Sequence, residues 1–519
     1  MRNNIKLIGL ALVTILVTSC SKDLDTKPRV ELSFENLLQQ DPNAAKGLLS
    51  KLYGTFALSG SNGPGSTDIS AADAGESAFL RSILNLEDFS ADGLKNRWGD
   101  NGLDQLTTAT NWNGDNKFFA NLFNRIYYTV PQSTNLIKAL GSVNDPNKAV
   151  YISELRFLRS LAYYYLIDCF GKGPLVTTEN YGTTTALPES SRTQLFAYVE
   201  SELLAIENDL PATNDYGRAN KSCARMLLAK LYLNAEVYTG TAKYTEALTY
   251  VNKIVNPNNI YLASNYKQNF TADNYLSLEI IFSLIADAQT HQSYGNTTYL
   301  VSGSLSSDTM YPIEQFGATA GWGGHRATKA WYGLFATSAA GLAASADVRA
   351  SLFWTTGQTY EMTDYKVWTN GYPSIKYNNL NANGSGTPTN FSNTDFPLFR
   401  YADLYLMYAE CVLRGASGGN ITDALTYVNA VRNRSNATSI TQSNLTLDFI
   451  LDERARELNF EGHRRTDLIR FGKFTGGTYL WPWKGNVLNG TSIPDTYKLF
   501  PIPAQALVAN PNLTQNPGY

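Results

Sequence analysis

The stretch AKLYLNAEVYTGTAKYTEALTYVNKI (residues 229–254) recurs in modified form as ADLYLMYAECVLRGASGGNITDALTYVNAV (residues 402–431). Each copy pairs the motif A-x-L-Y-L with a later (E/D)ALTYVN, and a glycine-containing turn separates the two motifs. The apolar residues recur every three or four positions, which predicts amphipathic helices. We therefore expect each copy to form a helix–turn–helix unit. Such units bury their apolar faces by stacking, as degenerate tetratricopeptide-like repeats do.

The rest of the chain indicates a mainly α protein with elaborate loops. Residues 151–170 and 446–462 are further runs with helical periodicity, and glycine follows or ends each of them. In contrast, the subregions of about 58–115 and 290–398 contain long stretches dense in Gly, Ser, Thr, Asn and Pro. We expect one helical domain over residues 20–519 with these loop-rich subregions inserted. Loops on a rigid scaffold are where binding sites usually lie.

The composition favours a neutral partner. The 519 residues carry 42 Lys+Arg and 45 Asp+Glu, a formal net charge of −3, which offers no electrostatic footprint for nucleic acid. Only 17% of residues are charged, whereas Tyr, Phe and Trp are abundant. This balance is suited to uncharged ligands that bear hydroxyl groups.

The N-terminus predicts export and a lipid anchor. Arg2 and Lys6 precede an apolar run over residues 7–17, which is too short to span a membrane, and the sequence VTSC then ends at Cys20. This pattern resembles a lipoprotein signal peptide over residues 1–19, cleaved before a lipidated Cys20. A plain secretory signal is the alternative. The mature protein is thus expected to contact the membrane only through its lipid.

The other cysteines predict no disulfide framework. Cys169, Cys223 and Cys411 are odd in number and lie in apolar, helix-like stretches, which is typical of small buried residues. The three histidines show no zinc-ligand spacing.

Ordered motifs along the whole chain resemble the SusD/RagB family of outer-membrane lipoproteins of Bacteroidetes. The motifs are SCSKDLDTKP from Ser19, ELRFLRSLAYYYLIDCFGKGPL from Glu154, FPLFRYADLYLMYAE from Phe396, LDERARELNFEGHRRTDLIRFGKF from Leu451, FPIP at 500–503 and the terminal QNPGY. The resemblance implies tetratricopeptide-type helix pairs with a loop-rich face. It also implies a surface-exposed position on the outer membrane, beside a SusC-like TonB-dependent transporter.

Within that family, several loops resemble those of its starch-binding member. They are DAGESAFLR (73–81), RWGDN (97–101), SYGNTTYLVSG (293–303), AGWGG (320–324) and WPWKGNVLNGTS (481–492). The likeness implies an aromatic arc of Trp98, Tyr294 and Trp322. It implies hydrogen bonds to sugar hydroxyls from Asp73, Arg81 and Asn101. The implied function is capture of starch or maltooligosaccharides for delivery to the transporter.

The residue types suit this role on chemical grounds. Indole and phenol rings present rigid apolar area to the C–H face of a sugar, and charged side chains strengthen hydrogen bonds to its hydroxyls. Tyr299, close to Tyr294 in the chain, is an alternative third ring. The same fold could instead bind another glycan or a peptide.

An all-α glycoside hydrolase is the rival from another class. Asp73, Glu76 and Asp100 could supply the two carboxylates that hydrolysis requires. However, Arg81 would keep a neighbouring acid ionised, whereas a catalytic acid needs a raised pKa. The charge-rich ERARELNFEGHRRTD, residues 453–467, is interpreted as an ion-pair network of the scaffold. We therefore predict a binding protein without enzymatic activity.

No cofactor is required by this prediction, although one metal site is implied by the resemblance. Asp273 in FTADN and Asp395 in NTDFP resemble positions that hold calcium in the starch-binding relative. The remaining oxygen ligands cannot be read from sequence, because backbone carbonyls contribute to such sites. A structural calcium at these two aspartates is an expectation.

Overall fold

The computed structural model describes residues 34–519 apart from residues 42, 72 and 74. The predicted signal peptide and Cys20 lie outside the described residues. Within them, no helix is both long and apolar enough to cross a bilayer.

Helices α1 to α18 dominate the described chain. In order they are Phe34–Gln40, Ala44–Ala57, Phe79–Leu84, Leu103–Thr108, Lys117–Gly141, Lys148–Cys169, Arg192–Ile206, Lys221–Leu233, Ala235–Thr239, Tyr244–Asn252, Thr297–Ser304, Lys329–Tyr332, Ala339–Ala343, Tyr401–Leu413, Ile421–Arg434, Leu447–Leu458, Arg464–Arg470 and Ala504–Ala509. The mainly α prediction is confirmed.

The two repeated stretches form stacked helix pairs. The first contributes α8 and α10, and the second contributes α14 and α15. Helix α8 packs on α10, α14 packs on α15, and α10 packs on α14, so the two units stack directly. Ala229, Ala247, Ala402 and Ala424 are all fully buried where these helices meet. Small side chains at these positions let the helix backbones approach closely, which is the reason the alanines recur in both copies.

The strands are short and serve to join loops. They are β1 Leu94–Asn96, β2 Gly173–Pro174, β3 Glu189–Ser190, β4 Ile280–Leu284, β5 His325–Ala327 and β6 Phe396–Arg400. They form antiparallel pairs β1–β5, β2–β3 and β4–β6. The pair β1–β5 joins the two loop-rich subregions that were predicted from composition.

One helix prediction needs correction, and one long helix was missed. The helix expected over residues 446–462 ends at Leu458, because Phe460 and Gly462 adopt positive φ angles of 61° and 71° and turn the chain before α17. The 25-residue helix α5 was not predicted, and it contains Pro131. A proline normally ends or kinks a helix, so its sequence signal argues against a continuous helix of this length.

The cysteine prediction is confirmed, since Cys169, Cys223 and Cys411 are buried free thiols. Burial raises the pKa of the Cys223 thiol to about 12. These side chains therefore act as small buried groups of the helical core.

The scaffold role of residues 453–467 is also confirmed. Arg400 lies in the core and donates to Glu279, Glu457 and Glu461 at 2.7–2.8 Å. These hydrogen bonds join the last residue of β6 to the residue before β4, to α16 and to the turn that follows α16. Further buried pairs surround it, including Arg349 with Glu453 and Glu457. The carboxylates are therefore structural.

We expect Arg400→Met to lower the free energy of unfolding by about 3–5 kcal/mol, because it leaves buried carboxylates without their cation. The matched control is Lys329→Met, which breaks the exposed Lys329–Glu361 pair and should cost under about 1 kcal/mol. Urea unfolding followed by circular dichroism measures both changes. Similar losses in the two variants would contradict the structural role of the network.

Candidate functional site

The antiparallel pair β1–β5 brings two distant loops together. Asn96 lies opposite His325 in the register, so the chain leaving β1 runs beside the chain entering β5. The Arg97 N–H donates to the Gly324 carbonyl at 3.3 Å. The Trp98 Nε1–H donates to the Trp322 carbonyl at 3.1 Å. Trp98 and Trp322 are thereby fixed side by side, although 224 residues separate them.

Three aromatic rings form one platform, which we define as Trp98, Trp322 and Tyr294. The Trp98 and Tyr294 ring centroids each lie 6.3 Å from the Trp322 centroid. Adjacent rings are tilted by 49° and 50°. Trp322 is thus the central ring of a faceted surface. Both tryptophans are half-buried, and Tyr294 is 38% exposed.

A buried layer supports the platform. Tyr299 is 1% exposed, its ring centroid lies 5.9 Å from that of Trp98, and its hydroxyl donates to Asn85 Oδ1 at 2.7 Å. Tyr299 is therefore a support for Trp98, whereas Tyr294 is the ring at the surface. The Phe391 ring also packs against Tyr294, with the two ring centroids 5.0 Å apart.

His325 completes this layer as a neutral imidazole. Its Nε2–H faces the Tyr299 carbonyl at 3.1 Å, and its Nδ1 lies 3.0 Å from the Asn96 amide nitrogen, which donates to it. The ring centroid lies 5.2 Å from that of Trp98. Burial lowers the pKa of His325 to about 3. The histidine thus holds the β1–β5 end in place without carrying charge.

Asp73 and Arg81 lie at the Tyr294 edge of the platform. Arg81 Nη1 is 4.0 Å from Asp73 Oδ1, and the guanidinium covers the Tyr299 ring at 4.6 Å. Gly75 lies where these groups meet, because a Cβ there would be 2.7 Å from Tyr294 Cβ, 3.1 Å from Asp73 Oδ1 and 3.2 Å from Arg81 Nη1. A glycine is required for this close approach. The Asp73 side chain is 60% exposed and available to a ligand.

Asn101 is less firmly placed than the other predicted residues. It is exposed, three residues after Trp98. Among the described residues, no hydrogen bond ties its side chain to the other members of the site. The structure thus brings Asp73, Arg81, Trp98, Tyr294 and Trp322 into one contiguous set, with Asn101 at its margin. Their role in binding stays a prediction.

The carboxylates near the platform are each paired with a cation. Glu76 is 2% exposed, with Lys117 Nζ 2.7 Å and Arg81 Nη2 3.7 Å from its Oε1. Asp100 lies 3.8 Å from the same lysine. Glu76 is also too deeply buried to reach a glycosidic bond. This arrangement favours charge-assisted hydrogen bonding over acid catalysis.

Sequence reasoning missed several contributors to the site, namely His325, Phe391, Lys117 and Lys366, whose Nζ donates to the Trp98 carbonyl at 3.0 Å. Each acts through another residue. His325 lies in a short strand, Phe391 and Lys366 lie in loops, and Lys117 is the first residue of α5. The only available signal was the position of His325, directly after the quoted motif AGWGG.

The carboxylates proposed for calcium face protein donors. Asp395 Oδ1 accepts from the Ala286 N–H at 2.8 Å, and Oδ2 accepts from the Tyr216 hydroxyl at 2.9 Å. Burial raises the pKa of Asp395 to about 6. Asp273 Oδ1 accepts from Thr271 and from the Ala382 N–H. These hydrogen bonds engage both Asp395 oxygens and one Asp273 oxygen with protein donors. Calcium at these residues stays a prediction.

Comparison with known proteins decides the family. The chain is 31% identical to the starch-binding protein SusD of Bacteroides thetaiotaomicron, over 99% of this chain and 98% of that protein. The chain belongs to the SusD family. Residues 352–519 match the model of the SusD family, and SusD-like protein P25 of Formosa agariphila is 24% identical over 96% of the chain and 95% of that protein.

Solved structures share the SusD-family fold. A SusD superfamily protein from Bacteroides vulgatus superposes with a TM-score of 0.71 at 18% identity, covering 92% of this chain and 99% of that one. Surface glycan-binding protein A from Bacteroides thetaiotaomicron, in complex with laminarihexaose, gives a TM-score of 0.69 at 21% identity over 91% and 98%. The resemblance seen in the sequence is confirmed.

We expect the His325→Phe variant to have a weaker pH dependence of stability than the wild type. The folded protein keeps His325 neutral down to about pH 3, whereas the unfolded chain binds a proton below its ordinary pKa of about 6.5. Stability is therefore lost as the pH falls through this range, by up to about 1.4 kcal/mol per pH unit for this group. Urea unfolding from pH 7 to 5 measures the two slopes. Parallel slopes would contradict a neutral buried His325.

Proposed function

We propose that this protein is a cell-surface lipoprotein that binds starch and maltooligosaccharides and delivers them, unhydrolysed, to a SusC-like TonB-dependent outer-membrane transporter. The observation that carries the proposal is the three-ring platform with Asp73 and Arg81 at its edge. The SusD-family relative with 31% identity, which is named as starch-binding, supports the choice of ligand.

The platform has the chemistry of a sugar-binding surface. Ring faces offer apolar area to the C–H groups of successive sugars, while the exposed Asp73 carboxylate offers charge-assisted hydrogen bonds to hydroxyls at the sugar edge. The Arg81 side chain is only 9% exposed, so it would reach a hydroxyl only through the end of its guanidinium beside Asp73. The tilts of 49° and 50° between neighbouring rings fit a curved glucan better than a flat one. A flat chain would require nearly coplanar rings. We expect an open surface of this kind to bind oligosaccharides with micromolar to millimolar affinity.

A different glycan is the second candidate. Two of the similar structures are described as bound to laminarihexaose and as laminarin-binding, at 21% and 20% identity. Identity at that level carries the fold alone, and laminarin is also a curved glucan. The linkage preference must therefore be measured. Peptide binding is less well supported, because the platform has few backbone partners to offer an extended chain.

Surface anchoring and delivery complete the proposal. The lipoprotein-like start at Cys20 supports attachment through lipid. Family membership supports a transporter as the partner. Binding without hydrolysis would leave the glucan intact for transfer, in keeping with the paired carboxylates near the rings.

We expect Trp322→Ala to weaken binding of maltoheptaose at least about 30-fold, which corresponds to about 2 kcal/mol, because it removes the central ring. Native electrophoresis in amylopectin gels and titration calorimetry measure this loss. The control is Trp354→Ala, another half-buried tryptophan, whose ring packs on Phe316 and whose Nε1–H donates to Thr356. This variant should bind like the wild type.

The same titration with laminarihexaose decides between the two glucans. Stronger binding of laminarihexaose than of maltoheptaose would contradict starch while preserving glycan binding. Loss of affinity in both tryptophan variants would contradict the assigned platform. Shorter products after incubation with maltoheptaose would contradict binding without hydrolysis.

We also expect Gly324→Ala to weaken glucan binding without removing any ring. A Cβ at this position would lie 2.5 Å from Trp98 Cε2 and Cζ2, so the indole must shift. The control Gly99→Ala adds a Cβ with nothing within 4 Å, directly beside the same tryptophan. Calorimetry with maltoheptaose should show lower affinity for Gly324→Ala than for Gly99→Ala. Equal affinities would show that the position of the Trp98 ring is unimportant.

A further inference from the structure

The side chain of Tyr216 points its hydroxyl into the protein, although the residue lies at the surface. Its hydroxyl lies 2.9 Å from Asp395 Oδ2 and 2.9 Å from Ser283 Oγ, and Asp395 is 5% exposed. Nevertheless the residue is 47% exposed. A tyrosine at a surface commonly buries its ring and presents its hydroxyl to water. In Tyr216 the polar end points inward, so the exposed part is the apolar ring.

Trp98 of the platform has the same arrangement. Its indole N–H is bonded inward to the Trp322 carbonyl at 3.1 Å, while the half-buried ring contributes to the platform surface. In both residues the only polar group of the side chain is satisfied by the protein. What remains outside is a rigid apolar face, which can bind a ligand at a low entropy cost.

A second exposed ring stands next to Tyr216. Tyr275 is 56% exposed, and its ring lies 6.4 Å from that of Tyr216 at 71°. The turn that carries it is held by Asn274, whose buried amide donates to the Asn269 and Asp395 carbonyls at 3.0 and 2.8 Å. The two rings border a cavity of about 510 Å³, which we call the tyrosine groove. This volume is in the range of small-molecule sites.

The lining of the tyrosine groove is polar but mostly neutral. Its amide and hydroxyl residues are Asn379, Asn381, Asn393, Thr290 and Thr387. In the part of the chain that the structure describes, neither lysine nor arginine lines it. The Asp287 carboxylate already accepts from the Gln289 and Thr290 N–H groups. The described lining therefore offers no lysine or arginine to a phosphate or an acidic sugar, and besides the two tyrosines its ionisable residues are Asp287, Asp395 and His291. Its amides match the donors and acceptors of a neutral sugar.

The tyrosine groove lies next to the platform along two chain segments. Thr290 and His291, which line it, precede Tyr294 by four and three residues. Asn393, which also lines it, follows Phe391 by two residues, and the Phe391 ring packs 5.0 Å from that of Tyr294. The groove and the Tyr294 end of the platform are therefore neighbours along both of these segments.

We propose that the tyrosine groove is a second binding site for the same neutral glucan chain, with Tyr216 and Tyr275 as its sugar-contacting rings. This inference takes the class of its ligand from the proposed function. One long chain held at both places gains avidity, because binding at the second site becomes intramolecular. Short oligosaccharides fill one site at a time, so the second site does not raise their affinity.

The test is Tyr275→Ala. Tyr275 is exposed, and among the described residues its side chain makes no hydrogen bond that the substitution would break, so the variant should fold. We expect amylopectin to be bound about 10-fold more weakly in affinity gels, by loss of the intramolecular gain. The affinity for maltotriose, followed by quenching of tryptophan fluorescence at the platform, should stay within about twofold of the wild type. The control is Leu278→Ala, which removes a 78% exposed side chain three residues away.

Each outcome separates the two proposals. If the Tyr275→Ala and Leu278→Ala variants bind amylopectin equally well, the groove proposal is overturned and the platform proposal stands. Loss of binding in Tyr275→Ala together with unchanged binding in Trp322→Ala would support the groove and overturn the platform. If the wild type prefers laminarin, the same comparison is made with laminarin and laminaritriose. A wild type that binds no glucan would overturn both.

Discussion

The ion pair between Asp92 and Arg464 is the contact on which the position of the platform depends. Arg464 donates to both Asp92 oxygens, at 2.9 and 2.7 Å, and both side chains are buried. The Asp92 carbonyl accepts from Thr328 at the end of β5, and its carboxylate accepts from Tyr479. One residue just before β1 therefore joins the helical scaffold to both loops that carry the tryptophans. Loss of either partner would leave an uncompensated charge in this buried position.

The scaffold could be predicted from sequence because its signals are local. The helical period of the two repeats places Ala229 and Ala424 at helix contacts, and the alternating charges of residues 453–467 indicate mutual pairing. Helix prediction failed where the conformation of a single residue differs from what the surrounding sequence indicates. Pro131 lies inside the unbroken helix α5, and Phe460 adopts a positive φ angle that ends the helix expected to continue.

The site was predicted only through its resemblance to a family. Trp98 and Trp322 meet because of a three-residue strand pair, which is too short to leave a pattern of alternation. Likewise, the burial of Tyr299 and the exposure of Tyr294 follow from tertiary packing, since both residues lie in the same aromatic, polar stretch. Tyr216 and Tyr275 belong to no sequence motif that indicated a binding role. Their significance depends on where the Tyr216 hydroxyl points, which follows from tertiary packing and leaves no pattern in the sequence.

If the platform binds a glucan as proposed, the inward-pointing indole N–H of Trp98 assigns two parts of recognition to two kinds of group. With that donor bonded to the Trp322 carbonyl, the Trp98 ring can register the curvature of a chain but not the configuration of its hydroxyls. The configuration of the sugar hydroxyls would be recognised at the Tyr294 edge of the platform. There Asp73 lies in an exposed loop, outside the packed layer beneath the rings. In the proposed function, linkage and monomer identity would thus be read by separate parts of the protein. A lineage could exchange glucose for an epimer by altering residues of that loop, while keeping the same shape of polysaccharide and the same rings.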